Sequence, residues 1–479
     1  MVRLCIRPAR RVYLRWACGM ALLGSTMYAH GVSAKPVPIT PLSLTPTISS
    51  TVGHSTVRGG GATSGSAAAA TPARHGETYG IRPSRRGLAV LPIAVSSATP
   101  AIAQAVPTPA LTGYSLSAAW PMAGHDPRQS YADALGSILP GAVPLLHLRW
   151  QAQGLTPQVE AQGVVYSLDA SGNVESLDTA AGRPRFRYQS PGVVGLAYQS
   201  PYLYINRSSE IRIVDAATGN WSNSATDTTG GATPSFSSLI VSGGQIFTGA
   251  GASQASTAQF YAFDAQSGNK IWQYPGSYTS TPCLAYGTLY VSFGAFGNAD
   301  SYAVDAANGY LLRELKHLGA IQWDAAGDGV YASVLAGSTD RLRASVRAYD
   351  RFGKLRWVAH DILFGAALPT IMFGIAPGAV DARSAEDGHR LWKAELPGLN
   401  SVSTGTVAVS GNLVVVQSSD GLIRLLDRDT GSLLRTLRPP FAATAARNLL
   451  IGGGIIFESV KPVLPGGTTG PTTLLAFGP

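Results

Sequence analysis

At 479 residues with only 13% charged side chains, 55 Gly and 31 Pro, the chain is poor material for a helical protein and good material for many short strands and turns. Its formal charge of +9 would invite a nucleic-acid reading, but eleven of the 36 basic residues and a single acid, Glu77, fall in residues 1–117. The remainder is close to neutral and has no basic stripe with interleaved aromatics, which excludes nucleic acid as a partner.

Residues 1–34 read as a secretory signal peptide. Arg3, Arg7, Arg10, Arg11 and Arg15 form a basic start, Trp16 to Tyr28 an apolar run too short to span a bilayer, and Val32-Ser33-Ala34 a small-x-small cleavage site. Cleavage is expected between Ala34 and Lys35. Arg15 and Trp16 precede Cys18 where a lipobox would need its apolar run, so the product is expected to be unlipidated, with no transmembrane span in the mature chain. Of the cysteines Cys5, Cys18 and Cys283, only Cys283 survives cleavage. That excludes an internal disulfide, a CxxC redox pair, a haem-attachment motif and a Cys-based zinc cluster. Cys283 itself reads as a small buried residue at a strand start.

Residues 35–117 are rich in Ser, Thr, Pro, Ala and Gly, sustain no periodicity and are expected to be a disordered tail. A basic cluster, Arg82 to Arg86, and an apolar stretch, Leu88 to Val95, punctuate it.

From residue 118 to 479 one unit recurs: an alternating strand, a turn, a strand ending in an apolar-Asp pair, a Gly-containing turn, then a large residue four positions on. The Asp and Gly slots are Asp178 and Gly182, Asp215 and Gly219, Asp264 and Gly268, Asp305 and Gly309, Asp350 and Gly353, and Asp427 and Gly431. A degenerate copy puts Ser384 before Gly388. An Asp at a strand end accepts hydrogen bonds from nearby backbone N–H groups, and Gly supplies the positive φ that the turn needs. The large residues are Phe186, Trp272, Arg313, Trp357, Trp392 and Arg435, placed to cover the seam between neighbouring blades. Successive slots lie 37, 49, 41, 45, 34 and 43 residues apart, the period of a four-stranded propeller blade.

Seven copies are complete. Leu474 to Gly478 match the strand before an Asp slot and then stop, while Leu146 to Gln151 supply the missing outer strand, with Trp150 in the seam position. The predicted fold is therefore all-β: an eight-bladed β-propeller of four-stranded antiparallel blades, closed by an N-terminal strand that completes the last blade and hides both sheet edges.

These repeats resemble the pyrroloquinoline-quinone (PQQ)-like propeller family over nearly all of residues 118–479. Ala119 to Pro127, with Trp120-Pro121, is similar to the family's lead-in segment. The resemblance implies one of two functions. In the dehydrogenase branch, PQQ sits between a Trp and an adjacent Cys-Cys disulfide, Ca²⁺ is bound by Glu and Asn, and an Asp is the base. This chain has no Cys-Cys pair. In the non-catalytic branch, which holds the BamB outer-membrane assembly propellers, loops on one face bind other proteins. The expectation is a monomeric, non-catalytic scaffold exported to the periplasm or cell surface, with no cofactor, no metal and no catalytic residue, binding envelope proteins or polysaccharide through one face. The alternative is a PQQ- and Ca²⁺-dependent dehydrogenase of alcohols or sugars.

Among the carboxylates outside the turn slots, Asp300, Asp324, Asp328, Asp340 and Asp361 read as solvated loop groups or strand-end caps. The segment Asp169 to Asn173 reads as a hairpin turn lacking the later acids of a calcium loop, and His125 as the cap of a turn. The mature histidines show no metal-binding spacing, and no Gly-x-Ser-x-Gly or P-loop pattern occurs.

Overall fold

The computed structural model describes residues 119–227, 235–236, 238–251, 259–275, 282–293, 300–315, 318–336, 343–399 and 405–479. The expected signal peptide, its cleavage point and the tail lie outside the described residues, as does Asp340. Strands form eight separate sheets, each running from an inner strand to an outer one in simple up-and-down order, and the chain is an all-β, eight-bladed propeller.

Blade 1 holds Thr156–Ala161, Val164–Leu168, Val174–Asp178 and Pro184–Tyr188. Blades 2 to 7 follow the same plan, except that two short strands, Ser235–Phe236 and Ile240–Ser242, take the inner position in blade 3, and they end on the outer strands Trp221–Ala225, Lys270–Pro275, Leu311–Leu315, Leu355–His360, Arg390–Glu395 and Leu433–Leu437. Blade 8 is shared between distant parts of the chain. Ala443–Gly452, Ile455–Pro462 and Thr473–Gly478 supply three strands, and His147–Gln153 pairs antiparallel with the last of them as the outer strand.

The repeat explains this local geometry. Oδ1 of each turn Asp accepts backbone hydrogen bonds from residues two to four positions on, as from Ala180 and Ala181 to Asp178 at 3.0 Å and from Gln266 and Ser267 to Asp264. The hydroxyl of Ser384 accepts from Glu386 and Asp387 at 3.3 and 3.4 Å, so Ser serves in the Asp slot with longer bonds. The following glycines sit at φ between 66° and 77°, which disfavours a Cβ. Just after each turn the outer strand carries one extra, bulged residue. The bulge swings the next side chain onto the neighbouring blade and leaves Ile271, Leu312, Leu391 and Leu434 exposed on the rim. Apolar residues of the inner three strands fill the space between blades, and this supplies the core.

Candidate functional site

The central channel is where a propeller brings all its blades together. Here it is occupied from one end by the chain itself. The lead-in segment does not merely precede the first strand. Residues 120–137 run around the inner wall and bond to one blade after another. Trp120 exchanges backbone hydrogen bonds with Glu160 of blade 1, and the carbonyl of Pro121 accepts from Tyr198 of blade 2. The carbonyls of Pro127, Arg128, Ser130 and Tyr131 then accept from Leu284, Ala325, Ala367 and Val409 of blades 4, 5, 6 and 7, at 2.8 to 2.9 Å. Ala132–Asp133 finishes as a short parallel strand against Val409 and Ser410. All these partners lie in the last part of an inner strand, beside its hairpin turn. The segment therefore plugs the channel at the end that carries the Asp-Gly turns.

The plug is tightly coiled. Gly124, His125, Gln129, Tyr131 and Gly136 all have positive φ, and three of these are not glycine. Such residues cost about 1 kcal/mol or more each and persist only where their surroundings fix them. Asp126 does much of the fixing, its carboxylate accepting from Ser130 N at 3.2 Å and Ser130 Oγ at 2.8 Å. Asp133 accepts from Gly136 N, Ser137 N and Ser410 Oγ, tying the segment's end to blade 7. His125 was expected to cap a turn, and it does not. Its ring packs edge-on against Trp120, centroids 4.9 Å apart, and both ring nitrogens are buried without a hydrogen-bond partner. Asp126, next in sequence, is the cap.

Asp324 also departs from expectation. It is no solvated loop group: it lies on the inner strand of blade 5, fully buried among channel residues. Oδ1 accepts from Gln322 Nε2 at 2.7 Å, and Oδ2 has no partner. Burial, helped by the charge of Asp126, pushes its carboxyl well above the usual carboxylate range. Glu160, under Trp120, is pushed up to about 7 by burial despite the backbone N–H of Gly163 at 3.3 Å. Of the other non-slot acids, Asp300 opens a strand, Asp328 sits in a hairpin turn, and Asp361 is exposed at φ 60°. The segment 169–173 is a hairpin turn closed by Asp169, which accepts from Ser171 and Asn173.

Cys283 opens the inner strand of blade 4, fully buried, with Sγ 3.3 Å from the Arg128 carbonyl. Among the described residues, no group of three His, Cys, Asp or Glu is placed to hold a metal ion. No helix of the described residues is long and apolar enough to cross a membrane.

The seam residues occupy the outer ring. The indole N–H groups of Trp150, Trp272, Trp357 and Trp392 donate to the carbonyls of Thr179, Ala306, Ala385 and Arg428 on the next blade, at 2.8 to 3.1 Å. Each ring lies over the next blade's turn glycine, Gly182, Gly309, Gly388 or Gly431, where a Cβ would collide with it, and Phe186 covers Gly219 likewise. Blade 2 has Asn223 at this position, which sequence reasoning passed over. Asn223 Nδ2 reaches the Gln266 carbonyl, and the backbone of Ser224 closes directly on Gly268. A second feature without a local sequence signal is Glu458. It is buried between blades 7 and 8, accepts from Gln417 Nε2 at 3.1 Å, and is pushed up to about 8 by burial.

One family model matches the chain, that of "Outer membrane protein assembly factor BamB", over residues 144–314 and 342–448. No curated protein sequence matches. Among solved structures, a europium-containing methanol dehydrogenase aligns with TM-score 0.56 at 12% identity, covering 75% of this chain and 98% of that one. The quinohemoprotein alcohol dehydrogenase of Comamonas testosteroni aligns with TM-score 0.55 at 14% identity, covering 75% and 80%. A computationally designed protein, Ika8, aligns with TM-score 0.51 at 17% identity, covering 68% and 96%. At these identities the likeness is one of fold.

Proposed function

The chain belongs to the family of the outer membrane protein assembly factor BamB, and from that premise we propose that it is a non-catalytic, protein-binding scaffold of the cell envelope. It engages envelope proteins or polysaccharide through loops of one face. The observation that carries this reading is the plug. The chain fills its own channel at the Asp-Gly end with residues 120–137, so the opposite face, with connections such as 169–173, 207–210 and 418–422, is left for partners. Export to the periplasm or cell surface, without a lipid anchor, belongs to the same proposal.

The solved dehydrogenases favour a second reading, a PQQ- and Ca²⁺-dependent dehydrogenase, and the residues present do not fit it. The adjacent cysteine pair is missing from the sequence, and Cys283 packs alone under Arg128. Asp324 and Glu160 are the buried acids of the channel wall. Both are closed off beneath residues 120–137, 0% and 2% exposed, so neither faces an open channel from which a substrate or a calcium ion could reach it.

Affinity capture on the full-length chain from a detergent-solubilised native envelope should retrieve subunits of the outer-membrane assembly machinery. Oxidation of alcohols or sugars in a dye-linked assay, after addition of PQQ and Ca²⁺, would sink the proposal.

A further inference from the structure

The repeat supplies its own control for what the fold needs at each position, and blades 4 and 5 depart from it together. Thr218, Ser267 and Thr430 precede the turn glycine in blades 2, 3 and 7, and Asn220, Asn269 and Ser432 follow it. No other Asp-Gly turn places a large apolar residue beside its glycine, but blade 4 has Tyr310 there and blade 5 has Phe352, 72% and 70% exposed. The turn does not call for either ring, since the same backbone bond from the Gly to the Asp closes it in the other blades. Behind the rings the outer strands remain apolar at the surface, with Leu311 and Leu312 in blade 4 and Leu355 and Val358 in blade 5. The patch is continuous across the seam, because Leu312 and Phe352 line one hollow together with Arg313 and Arg351.

Positive charge is concentrated at the same place. Residues 343–360 hold five basic side chains, Arg343, Arg347, Arg351, Lys354 and Arg356, and one acid, Asp350, although the propeller as a whole is nearly neutral. Arg351, Lys354 and Arg356 are exposed. Asp350 is taken up by its own turn, Oδ1 accepting from the N–H groups of Phe352 and Lys354 at 2.9 and 2.8 Å. The Arg351 guanidinium lies over the Phe352 ring, 4.8 Å from its centroid. Cations and apolar groups thus alternate along the chain, Arg351-Phe352 and then Lys354-Leu355-Arg356, with Val358 beyond. The core of a protein interface is depleted of charge, and of Lys in particular. Interleaving of this kind suits the boundary of a bilayer, where rings and aliphatic groups enter the acyl edge while Lys and Arg reach the headgroup phosphates.

We propose that blades 4 and 5 rest against an anionic phospholipid bilayer through this part of the rim. Tyr310 and Phe352 enter at headgroup level, the leucines behind them cover acyl chain, and Arg351, Lys354 and Arg356 pair with phosphate. The proposal takes from the scaffold reading only the envelope location, and it leaves the face opposite the Asp-Gly turns to protein partners.

The test is hydrogen exchange on the full-length protein, read by mass spectrometry, with vesicles of phosphatidylcholine containing phosphatidylglycerol. Peptides covering residues 305–315 and 350–360 should gain protection, and vesicles of phosphatidylcholine alone should give none. Arg351→Gln with Lys354→Gln should weaken binding to the anionic vesicles about tenfold or more, as should added salt with the parent. Tyr310→Asn with Phe352→Ser gives the two turns the residues of blade 3, so the melting temperature should hold while the protection is lost. Protection that falls elsewhere on the chain, that survives in both double variants, or that fails to appear with anionic vesicles overturns the proposal. Protection of the same peptides without lipid, rising with protein concentration, would put a second copy on this face. Equal protection by soluble polyglutamate would put an acidic polymer there, and either result also overturns the bilayer. Envelope capture judges the scaffold reading separately: if Tyr310→Asn with Phe352→Ser retrieves assembly subunits as well as the parent does, that reading stands whatever the vesicles show.

Discussion

Glu160 and Glu458 set a pH dependence that runs against the usual behaviour of carboxylates in proteins. Burial raises both, to about 7 and about 8, above the value near 4.3 that a glutamate has in an unfolded chain. Between those limits the folded state holds more protons than the unfolded one. The contribution is therefore fully present below pH 4.3 and is lost as pH rises through 7 and 8, at a cost on the order of a few kcal/mol for each group. Glu458→Gln keeps the shape and the contact with Gln417 but cannot ionise. Its melting temperature should exceed that of the parent at pH 8.5 and approach it at pH 5, by calorimetry across that range. Parallel curves for the two proteins would show that Glu458 is not buried as a neutral acid. The turn aspartates act in the opposite sense: hydrogen bonds hold Asp178, Asp215, Asp264 and Asp427 below the usual range. Their contribution fades only in strong acid, so the stability maximum should lie on the mildly acidic side of neutrality.

At the scale of the strand and turn, the seam geometry makes the turn glycines intolerant of any side chain. In Gly182→Ala the new Cβ would sit 2.6 Å from the Trp150 ring, at a φ of 66° that already disfavours alanine. A destabilisation of about 2 kcal/mol is expected, read as a lowered denaturation midpoint. Gly163→Ala, also at positive φ but with only Thr179 within 4 Å, should cost about half as much. Equal losses would show that backbone conformation and not the seam sets the cost. These elements were legible in the sequence because their chemistry is local: an Asp, a Gly and a ring within nine positions specify turn, bulge and seam together. The channel was not legible. Its plug uses left-handed His125, Gln129 and Tyr131, which announce nothing as glycine would, and its bonds reach strands up to about 280 positions away. Asp324 follows the alternation of Gln322 and Trp323 on its strand, and alternation does not tell a face turned to solvent from one turned to a filled channel. Asn223 went unnoticed because its seam closes through backbone atoms.

For the whole molecule, eight blades make a ring that the shared blade 8 closes, and the plug joins its inner wall across at least six blades. The amides of Leu284, Ala325, Ala367 and Val409 should exchange with solvent as slowly as the central strands of the blades, because each donates to a plug carbonyl. Exchange of these four well ahead of the blade cores would mean that the plug leaves the channel without unfolding the ring. The same arrangement decides how the fold carries a mechanical load. The outer strand His147–Gln153, which closes the ring, is the next strand after the plug along the chain. Tension applied from the amino-terminal side must first break bonds spread over six blades before it can peel that strand from Thr473–Gly478. The channel segment is a strain relief, like the knot behind a cable's socket, and it shields the closing joint from whatever pulls on the chain ahead of it.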